Sequence, residues 1–255
     1  MEPPLDSSTR PRLGVIGAGR LGTALAAALR QAGYPTAGPA RRGEVPRGCE
    51  GLVLCVPDAE IGPAARAVAG AAPYVGHTSG ATPLAAMSAA GPDLFGLHPL
   101  QSFTGDESPE AFEGAGCAIA GTGPAALALA RSIARNLGMN AFEIDDGSRP
   151  AYHAAASVAS NFLVTLEAAA ERIAAGAGLQ PAEARVLLAP LVLRTVRNWA
   201  ELGPERALTG PVSRGDDATV AAQRTAVEEA APELLALFDE LVERTRALAR
   251  GGVPA

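Results

Sequence analysis

The sequence predicts an α/β protein, an N-terminal doubly wound parallel sheet followed by an all-helical C-terminal domain. Three observations carry this. Short apolar runs alternate with helical stretches from Leu13 to about residue 144. The first run passes through a glycine turn, Gly17-Ala18-Gly19-Arg20-Leu21-Gly22, directly into a helix. After about residue 146 the strand signals stop and only helical patterning remains.

Composition sets the bounds. A chain of 255 residues with 48% hydrophobic content can hold one large or two small packed domains. The net charge of −6 and the lack of a basic tract argue against nucleic acid as a partner. No apolar run reaches about 18 residues, so no membrane-spanning helix is expected. Residues 1–11 read as a flexible tail without the apolar stretch of a signal peptide. Cys49, Cys55 and Cys117 lack metal-ligand spacing, so the expectation is no metal site and a reducing cytoplasm. All 21 basic residues are arginine, which excludes chemistry that needs a lysine acid, base or Schiff base.

The elements follow in order. Leu13–Ile16 reads as a buried strand, and the stretch to about Gln31 as a helix of small and apolar residues. In the turn between them, Gly17 permits the bend and Gly19 lets the backbone approach a pyrophosphate. Gly22 lets the helix sit close to the strand, and Ala18, Arg20 and Leu21 complete a dinucleotide-binding turn at a helix N-terminus. The same turn could serve structure alone. Tyr34–Ala40 is the second strand, weakened by Pro35 and Pro39. An acid near its end would favour NAD. The chain instead reads Ala40-Arg41-Arg42, and two guanidiniums suit the 2′-phosphate of NADP(H), unless they form a solvated basic loop.

Further strands are expected at 51–56, 73–77, 94–97, 116–120 and 141–144, with helices at about 60–69, 82–90 and 123–137. Ligands of such sheets bind beyond the carboxyl ends of strands. Val56, Pro57 and Asp58 end one strand, and Thr78 and Ser79 the next, so these residues are expected to flank the nicotinamide end of a cofactor. His98, before Pro99, ends the following strand, and is either an acid, base or substrate hydrogen-bonder, or a loop tie. His77 reads as structural. Residues 12–146 make up the dinucleotide-binding domain.

Residues 147–251 form the helical domain. One helix is expected from about 148 to 175, about 40 Å at about 1.5 Å per residue, with others at about 181–201, 216–229 and 231–249. His153, Ser157 and Asn161 fall at i, i+4 and i+8, a polar line that suits either a substrate cleft or helix–helix hydrogen bonds. Tyr152 could donate a proton too, but it lies about 100° round the helix from His153. Arg214, in a glycine-broken turn, suits a carboxylate, or pairs with Asp216 and Asp217, which read first as helix caps. The candidate catalytic residues are thus His98, His153, Ser157 and Asn161. Ser79, Gln101, Thr209 and Arg214 are the candidates for binding substrate.

The motifs HTSG, GLHPLQSF, YHAAASVASNFLVTL and LTGPVSRGD, in this order behind GAGRLG, resemble a family of bacterial proteins. Those proteins join a Rossmann-like domain to a C-terminal domain of unknown function, and are described as candidate NADP-dependent oxidoreductases. They are similar in architecture to 6-phosphogluconate and hydroxyacid dehydrogenases, ketopantoate reductase, pyrroline-5-carboxylate reductase and prephenate dehydrogenase. The resemblance covers residues 12 to about 249. It implies a helical domain that builds a homodimer and an active site between the domains. His98-Pro99-Leu100 and Ser79 look like the site of prephenate dehydrogenases, whose histidine is catalytic. Ser157 and Asn161 stand where ketopantoate reductases carry a lysine and an asparagine, and the lysine is missing here. The resulting expectation is a cytoplasmic, NADPH-dependent reductase of a small anionic 2-oxo acid (ketopantoate-like) or imino acid. Its alternatives are a prephenate-type NADP-dependent dehydrogenase and a non-catalytic NADP(H)-binding sensor or scaffold.

Overall fold

The computed structural model describes residues 10–251, so most of the expected tail, residues 1–9, lies outside the described residues. Seven strands and their connections follow in the expected sequence. They are β1 (Leu13–Ile16), α1 (Arg20–Gln31), β2 (Thr36–Ala40), β3 (Gly51–Leu54), α2 (Asp58–Ala67), β4 (Tyr74–His77), β5 (Leu94–Leu100), β6 (Gly116–Gly121), α3 (Pro124–Asn136) and β7 (Asn140–Glu143). The strands form one sheet in the order β2-β1-β3-β4-β5-β6-β7. This is the Rossmann arrangement, with a helical C-terminal region after it. The order reverses between β1 and β3, where such sheets bind ligands.

Side-chain alternation builds a core on each face. Leu13, Val15, Val53, Phe95 and Leu97 pack with Leu25 and Leu29 of α1 and Ile133 of α3. Ile16, Leu52, Leu54 and Val75 pack on the other face with Ile61 of α2 and Met87. Met87 belongs to a short 3-10 helix, Leu84–Ala90, where an α-helix at 82–90 was expected; seven residues behind Pro83 give only the tighter turn. β2 is the sheet's edge, where Pro39 is tolerated because one side of the strand needs no donor.

Direction was not visible in the sequence. β5 and β6 are antiparallel, so β6 and β7 run against the five strands before them. The link from β5 to β6 holds only a four-residue 3-10 turn, Pro109–Phe112, and lacks the crossover helix that a parallel return needs. β5 also continues through His98 and Pro99 to Leu100, with His98 opposite Ala118 and Leu100 opposite Gly116. The expected strand end at residue 97 is therefore too early. β4 pairs with β5 only as far as His77 opposite Gly96, so Pro99 has a neighbour on one side only.

The expected helix at 148–175 is also corrected. α4 (Arg149–Ser157) passes into a π-helical segment, Val158–Phe162, then α5 (Leu163–Ala174) and a 3-10 turn, Ala175–Ala177. The π segment breaks the 3.6-residue phase on which the line His153, Ser157 and Asn161 depended. Next come α6 (Pro181–Leu202), α7 (Pro204–Ala207), α8 (Pro211–Arg214), α9 (Asp217–Ala230) and α10 (Leu235–Ala249). Asp216 caps α9, accepting from the Thr219 N–H at 3.1 Å. Among the described residues no helix is long and apolar enough to cross a membrane.

The chain divides into two compact units, Met1–Ser160 and Asn161–Ala255, so α4 counts with the sheet. The second unit buries Ala184, Val220, Val227, Ala231 and Val242, but leaves Val186, Leu187, Leu191, Leu193 and Trp199 of α6 each more than half exposed. Its Arg224–Asp239 pair is exposed, and such a pair adds little stability.

A Cβ at Gly22 would lie 1.9 Å from the Gly17 carbonyl oxygen, whereas one at Gly19 would meet no atom within 4 Å. Gly22→Ala is therefore expected to destabilise the fold by about 1–3 kcal/mol in urea unfolding. Gly19→Ala, at the N-cap of α1, should cost no more than about 1 kcal/mol.

Candidate functional site

The glycine turn sits where the strand order reverses. Gly17 has φ 108°, and a Cβ there would lie 2.1 Å from the Cys55 carbonyl oxygen, so β1 and β3 touch at this point. α1 starts at Gly19 with no side chain capping its N–H groups and no acid in its first turn. The open ground above Gly19 and these amides fit the phosphates of a dinucleotide by space and by charge. A groove of about 470 Å³ runs from the turn past Val56 and Pro57 to Arg42, Glu44 and Glu60.

The other turn residues have local partners. Ala18 and Arg20 are exposed and Leu21 is half-buried. Arg20 Nη1 donates to the Phe103 carbonyl at 3.4 Å. Arg41 is exposed, and its backbone N–H donates to Glu44 at 2.9 Å. Arg42 is 85% exposed and pairs with Glu60 at 2.9 Å. Arg42 thus lines the groove's far end, and Arg41, its neighbour on the same exposed loop, is not among the lining residues. Burial pushes the Cys55 thiol up to about 12, so it is no thiolate.

A second polar group gathers at the ends of β4 and β5. His77 is fully buried, and its Nδ1 accepts the Ser79 N–H at 3.1 Å. Burial, with the nearby charge of Arg149, pulls His77 down to about 4. Ser79 Oγ accepts from the N–H groups of Ala81 and Thr82, at 3.1 and 2.9 Å, and Thr78 Oγ1 donates to the Leu54 carbonyl at 3.4 Å. Asp58 stands exposed at the start of α2. The His98 ring lies on Gly80, where a Cβ would stand 2.8–3.0 Å from three ring atoms.

His98 Nδ1 and the Tyr152 hydroxyl are 2.6 Å apart. The His98 ring centroid is 5.5 Å from that of Tyr152 and 6.2 Å from that of His153. Burial first, then His153 and Arg149, lower His98 to about 4, so the ring is neutral at neutral pH rather than poised near 7. Burial pushes the Tyr152 phenol up, and it keeps its proton. Tyr152, set aside in the sequence for its angle on the helix, therefore belongs here, as does the buried Arg149, which the sequence did not flag. Neighbouring positions on a helix diverge by about 100° at Cα, but the rings of Tyr152 and His153 converge on His98. No local signal marks Arg149.

The remaining candidates belong to several elements of the two units. Ser157 is half-buried on α4. Gln101 is exposed, and both ends of its amide bind its own loop, at the Ala111 carbonyl and the Ser102 N–H. Asn161, Thr209 and Arg214 belong to the second unit and are exposed. Arg214 ends α8 and forms no ion pair with another described residue. No group of three or more His, Cys, Asp or Glu among the described residues could hold a metal ion.

The family model described as a domain of unknown function (DUF2520) matches residues 115–245. No curated protein matches the chain. Among solved structures, protein TM1727 of Thermotoga maritima is similar, with 27% identity, a TM-score of 0.75, and coverage of 94% of this chain and 98% of that one. A candidate NADP oxidoreductase of Bacteroides fragilis has 21% identity and a TM-score of 0.78 over 93% of this chain and 98% of its own. Pyrroline carboxylate reductase of Plasmodium falciparum, with NADP bound, has 13% identity and a TM-score of 0.58 over 94% and 98%. At such identities the last two carry the fold alone.

His77 and His98 titrate near 4 in the folded chain, against an ordinary 6.5. The unfolded chain takes up these protons first, so stability falls as pH drops below 6.5, before carboxylates with an ordinary value of 4.5 begin to protonate. Urea midpoints measured between about pH 7 and about pH 5 are expected to decline, and His77→Gln should flatten that decline.

Proposed function

This chain belongs to the DUF2520 family, and we propose that it is an NADPH-dependent oxidoreductase that reduces a small anionic 2-oxo acid, ketopantoate-like, or imino acid. The observation that carries the reading is the neutral His98 hydrogen-bonded to Tyr152 on the sheet that also holds the open glycine turn. The NADP bound to the Plasmodium reductase of the same fold supports the choice of cofactor. Gly17, Ala18, Gly19, Arg20, Leu21 and Gly22 would hold its pyrophosphate. Val56, Pro57, Asp58, Thr78 and Ser79 would flank its nicotinamide end, with Arg41 and Arg42 at the 2′-phosphate. Arg42 would exchange Glu60 for that phosphate. When bound, the cofactor supplies the hydride.

The chain's own residues supply the proton. The Tyr152 hydroxyl donates to Nδ1 of His98, which leaves an Nε2–H to hydrogen-bond the substrate oxygen or nitrogen. As charge develops on that atom, the Nε2 proton moves to it, the Tyr152 proton moves to Nδ1, and a solvent proton restores the phenol, which burial disfavours as an anion. Tyr152 relays the proton and solvent supplies it, because His98 does not hold a second proton at neutral pH. His153, Ser157 and Asn161 orient the substrate, with Gln101, Ser79 and Thr209 as further polar contacts. Arg214, exposed and without an ion pair among the described residues, is the cation for its carboxylate.

The C-terminal helices, residues 147–251, are the substrate and dimerisation domain of this reading, and the exposed apolar residues of α6 support a homodimer. Free Cys49, Cys55 and Cys117 suit a cytoplasmic protein.

Titration with NADPH and NADH, followed by nicotinamide fluorescence, is expected to show tighter binding of NADPH. The Arg41→Ala/Arg42→Ala variant should lose about tenfold or more, about 1.4 kcal/mol. Failure of both nucleotides to bind overturns the reductase. In a screen of oxo and imino acids by NADPH oxidation, Tyr152→Phe should lower kcat by about 10²–10⁴-fold with unchanged cofactor affinity. Sedimentation should give a dimer that Leu191→Glu dissociates; a monomeric wild type would sink the dimer.

A further inference from the structure

Arg149 is the largest side chain that the fold buries completely, at 2% exposure. Its Nε donates to Asp146 Oδ1 at 2.6 Å, and its Nη1 to the Ser79 carbonyl at 3.4 Å. Nη2 is buried with no partner, as is Nε2 of His77. The other oxygen of Asp146 accepts the Leu84 N–H at 3.2 Å. One arginine and one aspartate thus join the first turn of α4, the turn after β4 and the 3-10 helix behind it.

The space for the guanidinium comes from Gly96. A Cβ there would lie 3.1 Å from Nη2, and the neighbour across β6 is only Ala120. Arg149 and Tyr152 are three residues apart on one helix face, and Gly96 and His98 two apart on one strand face. The two pairs register together, Arg149 on Gly96 and Tyr152 on His98.

Stability gives no reason for this arrangement. A buried cation with one half-exposed carboxylate, one long carbonyl contact and an unpaired N–H is costly, and an apolar side chain of similar size would serve packing as well or better. A lysine would lose its charge in such a place, whereas a guanidinium keeps it.

We infer that Arg149 is a positioning residue for the His98–Tyr152 pair. Clasped by Asp146 over Gly96, it fixes the start of α4 so that the Tyr152 hydroxyl meets Nδ1 of His98, and it keeps a permanent positive charge beside that ring. The inference rests on the reading of this pair as the proton-transfer site. The charged and titratable groups around His98 are His77 of β4, Asp58 of α2, Asp146, and Arg149, Tyr152 and His153 of α4. Arg149 and His153 both oppose a second proton on the ring, so the imidazole stays neutral, with one donor and one acceptor nitrogen.

The test is nuclear magnetic resonance of the histidine rings in the full-length protein without nucleotide. The chain has three histidines, and His98→Gln assigns the signal. The wild type is expected to show His98 as a single Nε2–H tautomer with a midpoint near 4. Arg149→Met should raise the midpoint and mix the tautomers. Arg149→Lys should behave as Arg149→Met does, because a lysine loses its charge when buried there and lacks the fork that binds Asp146. An unchanged tautomer and midpoint in folded Arg149→Met overturns the inference. If that variant does not fold, Asp146→Asn decides, since its side chain is 43% exposed and its loss only opens the clasp. A single tautomer retained in Asp146→Asn overturns the inference equally. Neither readout involves turnover. Lack of NADPH oxidation in a protein whose His98 responds in this way would remove the reductase and leave the positioning role standing.

Discussion

The antiparallel pairing of β6 with β5 is the constraint on which the rest of this structure depends. It holds β5 in strand conformation beyond the end of β4, and so carries His98 past its neighbours on the other side. It also reverses β7, and the chain leaves that strand to enter α4 along the face of β4 and β5. A parallel continuation would have required a crossover helix after β5 and would have delivered the next helix elsewhere. The contact between His98 and Tyr152 is therefore a product of topology, since the two lie 54 positions apart in sequence.

Two different physical regimes meet on one sheet. At the glycine turn, the chain removes side chains so that backbone groups stand open to solvent and to a ligand. At the ends of β4 and β5 it does the opposite and draws histidines and a guanidinium into a region of low dielectric. Burial there disfavours every additional positive charge, which is why both histidines are held neutral while the arginine is not. A neutral imidazole is a different reagent from an imidazolium. It offers one donor and one acceptor, and its direction is set by the group that holds the other nitrogen.

Much of the fold was legible because its signals are local. The alternation of apolar runs and helices, the glycine turn and the shift to helices after residue 146 depend on residues adjacent in sequence. Strand direction is not a local property, so Gly116–Gly121 reads identically whichever way it pairs. The π segment at Val158–Phe162 was equally hidden, because its residues have ordinary helical composition. In the site, His98 drew attention through the proline after it. Arg149 did not, because an arginine near a helix start reads as a surface charge. Its burial depends on Gly96 and Ala120, which are small for a reason that only the assembled sheet supplies.

The helical unit carries its own optical probe. Trp199 is the chain's one tryptophan, and it is 57% exposed on α6 beside Leu202 and Val196. Indole emission shifts to shorter wavelength when water is removed from around the ring. The intrinsic fluorescence of this protein therefore reports on a single surface, with no label and no substitution. A red emission maximum means that water still reaches this face, and a blue one that something has covered it.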